Sequence, residues 1–226
     1  VTGPTALHVL MMVQQINSYL DQIQRNISIT ATVTYKLTDD NAVDILFSGT
    51  TDAPTVLSMT NHAYFNLFGQ DQPQRAMGQE LMVPAEFFCP DDAANIPTGE
   101  IRAVEGTPFD FRSFKAIGRD IGMDYEPLIL QGGYDHNFVN KGEVCAVMRN
   151  PENGLTMTVT TDLPGVQVYA SDVLCPKNFR TGKVTKTART VSIHHFTASW
   201  VDEKIKQEAT HQQTIRNRFG ARLGGY

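Results

Sequence analysis

Between Ile27 and Leu37 the chain alternates without a break, Ile27, Ile29, Ala31, Val33, Tyr35 and Leu37 being separated by Ser28, three threonines and Lys36. A period of two places the apolar set on one face of a half-buried strand, and a slip of one residue would turn that face to water. Few patterns constrain a fold more tightly. Thr38-Asp39-Asp40-Asn41 then reads as a turn, and Val43, Ile45 and Phe47 resume the alternation, so the spacing predicts a hairpin. A further strand is expected from about Thr55 into the Asn61 region. A second hairpin follows at Val144–Met148, the turn Asn150–Gly154, and Leu155, Met157 and Val159 among threonines. The intervening stretch from Gly69 to Pro127, rich in turn residues, reads as long connections laid over a β scaffold.

At the two ends the period changes. Val9, Val13, Ile16, Leu20 and Ile23 recur at steps of three and four, which predicts a helix over residues 5–24. Ser199 stands three residues before Asp202, a capping-box-like start, and a mostly polar helix is expected to run to about Arg218. The expected fold is mainly β and antiparallel, with helices confined mainly to the two ends. Three segments follow: a helical stretch at 1–25, a β core at 26–172 and a basic tail at 173–226. The tail carries ten Lys or Arg against three Asp or Glu from Pro176 onward, a balance of +7; since the whole chain is at −5, residues 1–175 hold −12. Such a shift marks either a different origin for the tail or one domain with a basic face.

The overall negative charge argues against a general nucleic-acid binder. No apolar run reaches the length of a membrane span, and the N-terminus lacks the order of a signal peptide. Three cysteines, Cys89, Cys145 and Cys175, lie far apart with no CxxC pair. They suggest neither a zinc site nor a disulfide framework, and point to a reducing cytoplasm. The chain starts at Val1 rather than Met, which reads as a processed chain or a fragment.

Three stretches hold groups suited to chemistry. In Ser58–Leu67, a continuing strand would set Thr60, His62, Tyr64 and Asn66 on one face: hydroxyl, imidazole, aromatic and amide groups of the kind a sugar requires. Composition alone favours a strand with a wet outer face. In Gly132–Phe138, two glycines permit a tight backbone, and Asp135 and His136 follow on an expected loop entering a strand. The Asp135 carboxylate is suited to accept two sugar hydroxyls in charge-assisted bonds, or to close an Asx turn. In Pro164–Tyr169, Gln167 offers both donor and acceptor.

Taken together, these segments resemble the aldose 1-epimerase (galactose mutarotase) family. TVTYKLTDDNAVDI, TTDAPTVLSMTNHAYFNLFG, IPTGEIRAVEGTPFDFR, IGRDI, GGYDHNFVN and PGVQVY occur in the family's order and at its approximate spacing, over about residues 26–169. The resemblance implies a galactose-mutarotase-like antiparallel β-sandwich with a sugar cleft across one sheet. It further implies interconversion of the α and β anomers of free hexoses such as galactose or glucose, with no cofactor and no metal. In that chemistry a base removes the anomeric hydroxyl proton while an acid protonates the ring oxygen. The ring opens, the C1–C2 bond rotates, and closure gives the other anomer. By motif, His62 is the acid, a role that suits histidine as a residue type, whose unperturbed pKa is near-neutral. Tyr64 lies in the same site segment, Asp135 binds hydroxyls and Gln167 lines the pocket.

Two parts of the family pattern are not found. The glutamate base of the family's C-terminal region has no counterpart; Glu203 and Glu208 lie on the expected polar helix without its motif. An earlier segment supplying an asparagine, an arginine and a histidine has none before Asn26. The ends instead resemble capsular-polysaccharide-type glycosyltransferases, through VTGPTALHVLM and VLCPKNFRTGKVTKTARTVSIHHFTASW, although the metal-holding Asp-x-Asp pair of such enzymes is missing. His194 and His195 read either as part of that resemblance or as a buried pair near Trp200. The expectation is an epimerase impaired by loss of its base. The alternatives are a glycosyltransferase fragment and a sugar-binding sandwich without turnover. Sugar preference and oligomeric state are not specified by the sequence.

Overall fold

The computed structural model describes residues 7–11, 29–52, 59–69, 72–171, 190–195 and 213–223. Its first eight strands are β1 (Leu7–Met11), β2 (Ile29–Leu37), β3 (Ala42–Thr51), β4 (Tyr64–Phe65), β5 (Glu80–Met82), β6 (Phe87–Cys89), β7 (Arg102–Ala103) and β8 (Lys115–Ala116). After the single described α-helix, α1 (Glu126–Gln131), come β9 (Gly133–Val139), β10 (Val144–Arg149), β11 (Leu155–Thr161), β12 (Gly165–Ser171), β13 (Thr190–His195) and β14 (Gln213–Leu223). They form an eight-stranded sheet, β1-β2-β3-β14-β11-β10-β5-β8, and a six-stranded sheet, β4-β13-β12-β9-β6-β7. Every described pairing is antiparallel.

Both expected hairpins form. β2 and β3 pair from Ile29↔Thr51 to Leu37↔Val43, and Thr38 closes their turn by accepting the Ala42 N–H on its hydroxyl at 3.0 Å. β10 and β11 pair through a bulge near Val144, with the Asn150 N–H donating to Leu155 O at 2.8 Å across the turn. Their inward faces meet those of the second sheet in one core that includes Phe47, Leu81, Phe88, Phe109, Phe138, Met148 and Val159. Phe88 and Phe109 stack with centroids 4.1 Å apart, and His136 meets Phe109 edge-on at 4.6 Å. Aromatic pairs of this geometry add to the stabilisation that burial alone supplies.

The helices expected at the ends are corrected where the structure describes them. Leu7–Met11 is strand β1, paired residue for residue with Ala31–Tyr35 of β2; the rest of the expected helix, 5–6 and 12–24, lies outside the described residues. A five-residue apolar run carries no decisive period, and the open edge of β2 supplies a ladder that local propensity does not outweigh. Likewise Gln213–Arg218 belongs to β14, which fills the gap between β3 and β11 and pairs on both sides; residues 199–212 lie outside the described residues. Two unsatisfied sheet edges dictate a strand there whatever the local propensity. Helical structure occurs within the core region instead: α1 and two 3₁₀ turns, Pro73–Gly78 and Ile117–Arg119. The connection from Gly69 to Pro127 also contributes four short strands, β5 to β8, to both sheets. Strands on either side of the expected segment boundaries share the same sheets. No described helix is long and apolar enough to cross a membrane.

Candidate functional site

The outward face of the six-stranded sheet is set by alternation. In β9 Tyr134, His136 and Phe138 are buried in the core, so Asp135 and Asn137 point to the opposite face. In β12 Val166, Val168 and Ala170 go inward, leaving Gln167 and Tyr169 on the side of Asp135. Register then aligns one row across four strands: Tyr64 opposite Ser192, Ser192 opposite Tyr169, Tyr169 opposite Asp135. A second row runs His194, Gln167, Asn137, Cys89. The GGYDHNF stretch, expected as a loop entering a strand, is strand from Gly133 onward. Gly132 caps α1 in the left-handed conformation, at φ 65°, and pairing with β12 begins one residue later.

Across and beside these rows the contacts are specific. Gln167 Nε2 donates to Asp135 Oδ1 at 2.9 Å, which fixes the amide and uses one of the carboxylate's two oxygens. Tyr64 meets Tyr169 edge-on at 6.3 Å and lies 5.2 Å from the His62 ring. Partial burial, the neighbouring Tyr169 and the Asp135 charge push the Tyr64 hydroxyl's pKa up, so it stays a neutral phenol able to donate. His62, Tyr64, Asp135 and Gln167, drawn from three separate stretches of sequence, are thus linked through ring contacts, one hydrogen bond and the Asp135 field. His136, by contrast, faces the core. Burial holds its imidazole neutral with a pKa near 4, and its Nδ1 accepts the Asp135 N–H at 3.1 Å.

The segment carrying His62 is a ladder strand only at Tyr64–Phe65, although exposure alternates along it from Thr60 to Phe65. Side chains do the work that pairing does elsewhere. Buried Gln79 accepts the Leu67 N–H on Oε1 at 2.6 Å, and buried Asn150 donates to Leu67 O at 3.0 Å. Asn61 donates to the Tyr35 hydroxyl at 3.4 Å. Asn66, expected on the sugar face, instead closes the following turn by donating to Gly69 O and Gln72 O.

Two polar residues of this face carry no role in the sequence reading, Tyr169 and Asn137, and both are legible once β9 and β12 are paired. Asp91, which follows β6, lies within the field of Asp135. Its carboxyl pKa is raised to about 6 by burial, by the Asp135 charge and by Asp92. Among the described residues no group of three or more His, Cys, Asp or Glu is placed to hold a metal ion. Glu203 and Glu208 lie outside the described residues.

Two facing antiparallel sheets with one polar, aromatic-rimmed outer face define a galactose-mutarotase-like β-sandwich. The aldose 1-epimerase family model matches residues 25–215, and the chain belongs to that family. It is 36% identical to the aldose 1-epimerase of Haemophilus influenzae over 166 residues, 70% of this chain and 46% of that protein. It is 38% identical to the aldose 1-epimerase of Escherichia coli over 149 residues, 64% of this chain and 42% of that protein. The chain therefore spans less than half the length of the curated relatives it matches. Among solved structures, a galactose 1-epimerase from Lactobacillus acidophilus superposes with a TM-score of 0.73 over 88% of this chain and 58% of that one, at 24% identity, a likeness of fold. The family match runs through β13 and into β14, across the tail that resembles a glycosyltransferase in sequence, and that second resemblance finds no support.

Proposed function

We propose that this chain binds free hexoses, galactose or glucose, on the outer face of the six-stranded sheet and interconverts their anomers by acid–base ring opening. The observation that carries the reading is the convergence of Asp135, hydrogen-bonded to Gln167, with the His62–Tyr64 pair on one face. Asp135 keeps a second oxygen for a sugar hydroxyl, and the Tyr64 ring offers an apolar surface beside it. His62 donates its proton to the ring oxygen. The family's glutamate base has no counterpart by motif, so turnover falls short of a complete acid–base pair by about 10²–10⁴-fold.

Polarimetry of freshly dissolved α-D-galactose tests turnover, and calorimetry with the same sugar tests binding. The expected result is weak catalysis lost in His62→Ala, with binding lost in Asp135→Ala. Decay at the buffer rate with Asp135-dependent binding would favour the second reading, a sugar-binding sandwich without turnover. That reading rests on the same missing base. Galactose and glucose binding absent altogether, or indifferent to Asp135, would overturn both.

A further inference from the structure

The segment that carries His62 is short of register information. β4 meets β13 over two rungs, Tyr64 opposite Ser192 and Phe65 opposite Val191. A slip of one residue would exchange its faces, turning His62 and Tyr64 inward and Ala63 and Phe65 outward. Phe65 and Leu67 pack against the core and resist such a slip. Tyr64, however, is an aromatic of nearly the size of Phe65, so apolar packing alone discriminates weakly between the two registers.

A grip from the eight-stranded sheet supplies the discrimination. Leu67 is held on both of its main-chain groups: its N–H donates to Gln79 Oε1 at 2.6 Å, and its carbonyl accepts from Asn150 Nδ2 at 3.0 Å. A neighbouring strand bonds a residue in the same way. The two amides flank one rung of the ladder, Glu80 opposite Arg149, since Gln79 directly precedes β5 and Asn150 directly follows β10. Both are buried, at 0% and 2% exposure. Each is aimed by its other polar atom. Gln79 Nε2 donates to Ala76 O at 2.9 Å, and Asn150 Oδ1 accepts the Glu152 N–H at 2.9 Å. Neither amide can flip without losing two bonds, and a lost bond leaves a buried polar group unmet.

We propose that Gln79 and Asn150 are positioning residues for the acid: by gripping Leu67 they lock the register of residues 62–67 and keep His62 and Tyr64 turned to the face of Asp135. The inference rests on the ring-opening reading above. Shifting the segment by one residue, about 3.3 Å along its axis, breaks both bonds at once. Asp135 and Gln167 are placed by the pairing of β9 with β12 instead, so loss of the grip separates proton donation from sugar binding.

The test compares the full wild-type chain with Gln79→Met, which removes the acceptor at nearly constant volume, and Asn150→Asp, which keeps an acceptor for Glu152 and removes the donor to Leu67. Asn140→Ala deletes a bond of the same kind, to Leu163 O, and serves as the structural control. Thermal melts verify folding. In polarimetry of α-D-galactose both variants should lose about ten- to a hundredfold in turnover, more than the control, while calorimetric galactose affinity stays near that of wild type. Turnover equal to wild type, a loss matched by Asn140→Ala, or affinity falling in step with turnover would overturn the inference. Gln79→Asn, an amide shortened by one methylene, repeats the comparison if neither variant folds. A wild type that leaves mutarotation at the buffer rate would overturn the ring-opening reading. The positioning role is then decided by the nuclear Overhauser contact between the Tyr64 and Tyr169 rings, whose centroids lie 6.3 Å apart. Both variants should lose it, and its persistence would overturn the inference.

Discussion

At the scale of single residues, the two neighbours Asp135 and His136 show how sharply a strand divides its functions. One faces the candidate site, the other sits fully buried against Phe88 and Phe109. His136 is neutral in the fold, its pKa depressed to about 4 by burial and secondarily by Arg102. A base whose folded pKa lies below its unfolded value, ~6.5, stabilises the fold fully above that value. The contribution is lost as pH falls from ~6.5 towards 4. Urea unfolding of wild type should therefore lose about 3 kcal/mol over that window through this group. In His136→Phe that part of the slope should disappear; an unchanged slope would mean the imidazole is not the titrating group. The motif DHN was legible in the sequence, but its division of labour was not. Only the strand assignment, with its period of two, tells which of Asp135 and His136 is available to a ligand.

At the scale of elements, close approach matters more than propensity. Gly133 opens β9 at φ 145°, and a Cβ there would lie 2.5 Å from the carbonyl oxygen of Ala170 in β12. Gly133→Ala should lower stability by about 2 kcal/mol or more and loosen the pairing that holds Asp135 beside Gln167. Hydrogen exchange at the amides of 133–139 should rise more than at those of β2 or β3; equal protection would count against the close contact. The hairpins β2–β3 and β10–β11 were readable because their faces differ in polarity and their turns are short. The ends misled for the opposite reason. Leu7–Met11 is too short to carry a period, and Gln213–Leu223 is strand because of what lies on either side of it. Neighbours in space leave no mark on a local pattern. The His62 segment falls between these cases: its alternation is real in exposure, yet Gln79 and Asn150 rather than a long ladder hold it in place.

At the scale of the whole molecule, β14 joins what would otherwise be two sheets, β1-β2-β3 and β11-β10-β5-β8. Proline has no N–H to give to either ladder, so Arg218→Pro, between Asp44 and Thr160, should cost about 3 kcal/mol or more. Thermal unfolding should then lose its single transition as the two halves uncouple; a merely shifted single transition would argue against this central role. The same arrangement sets an order of events on the ribosome. Both hairpins emerge early and can close from local contacts, but β3 and β11 wait with bare edges until residues 213–223 have left the exit tunnel. For that interval the nascent chain is two half-sheets with the same unmet need, and each is a template for the other's counterpart on a neighbouring polysome. Slow synthesis through the segment between β12 and β14 would lengthen the exposure, so the yield of folded protein depends on how quickly β14 is delivered.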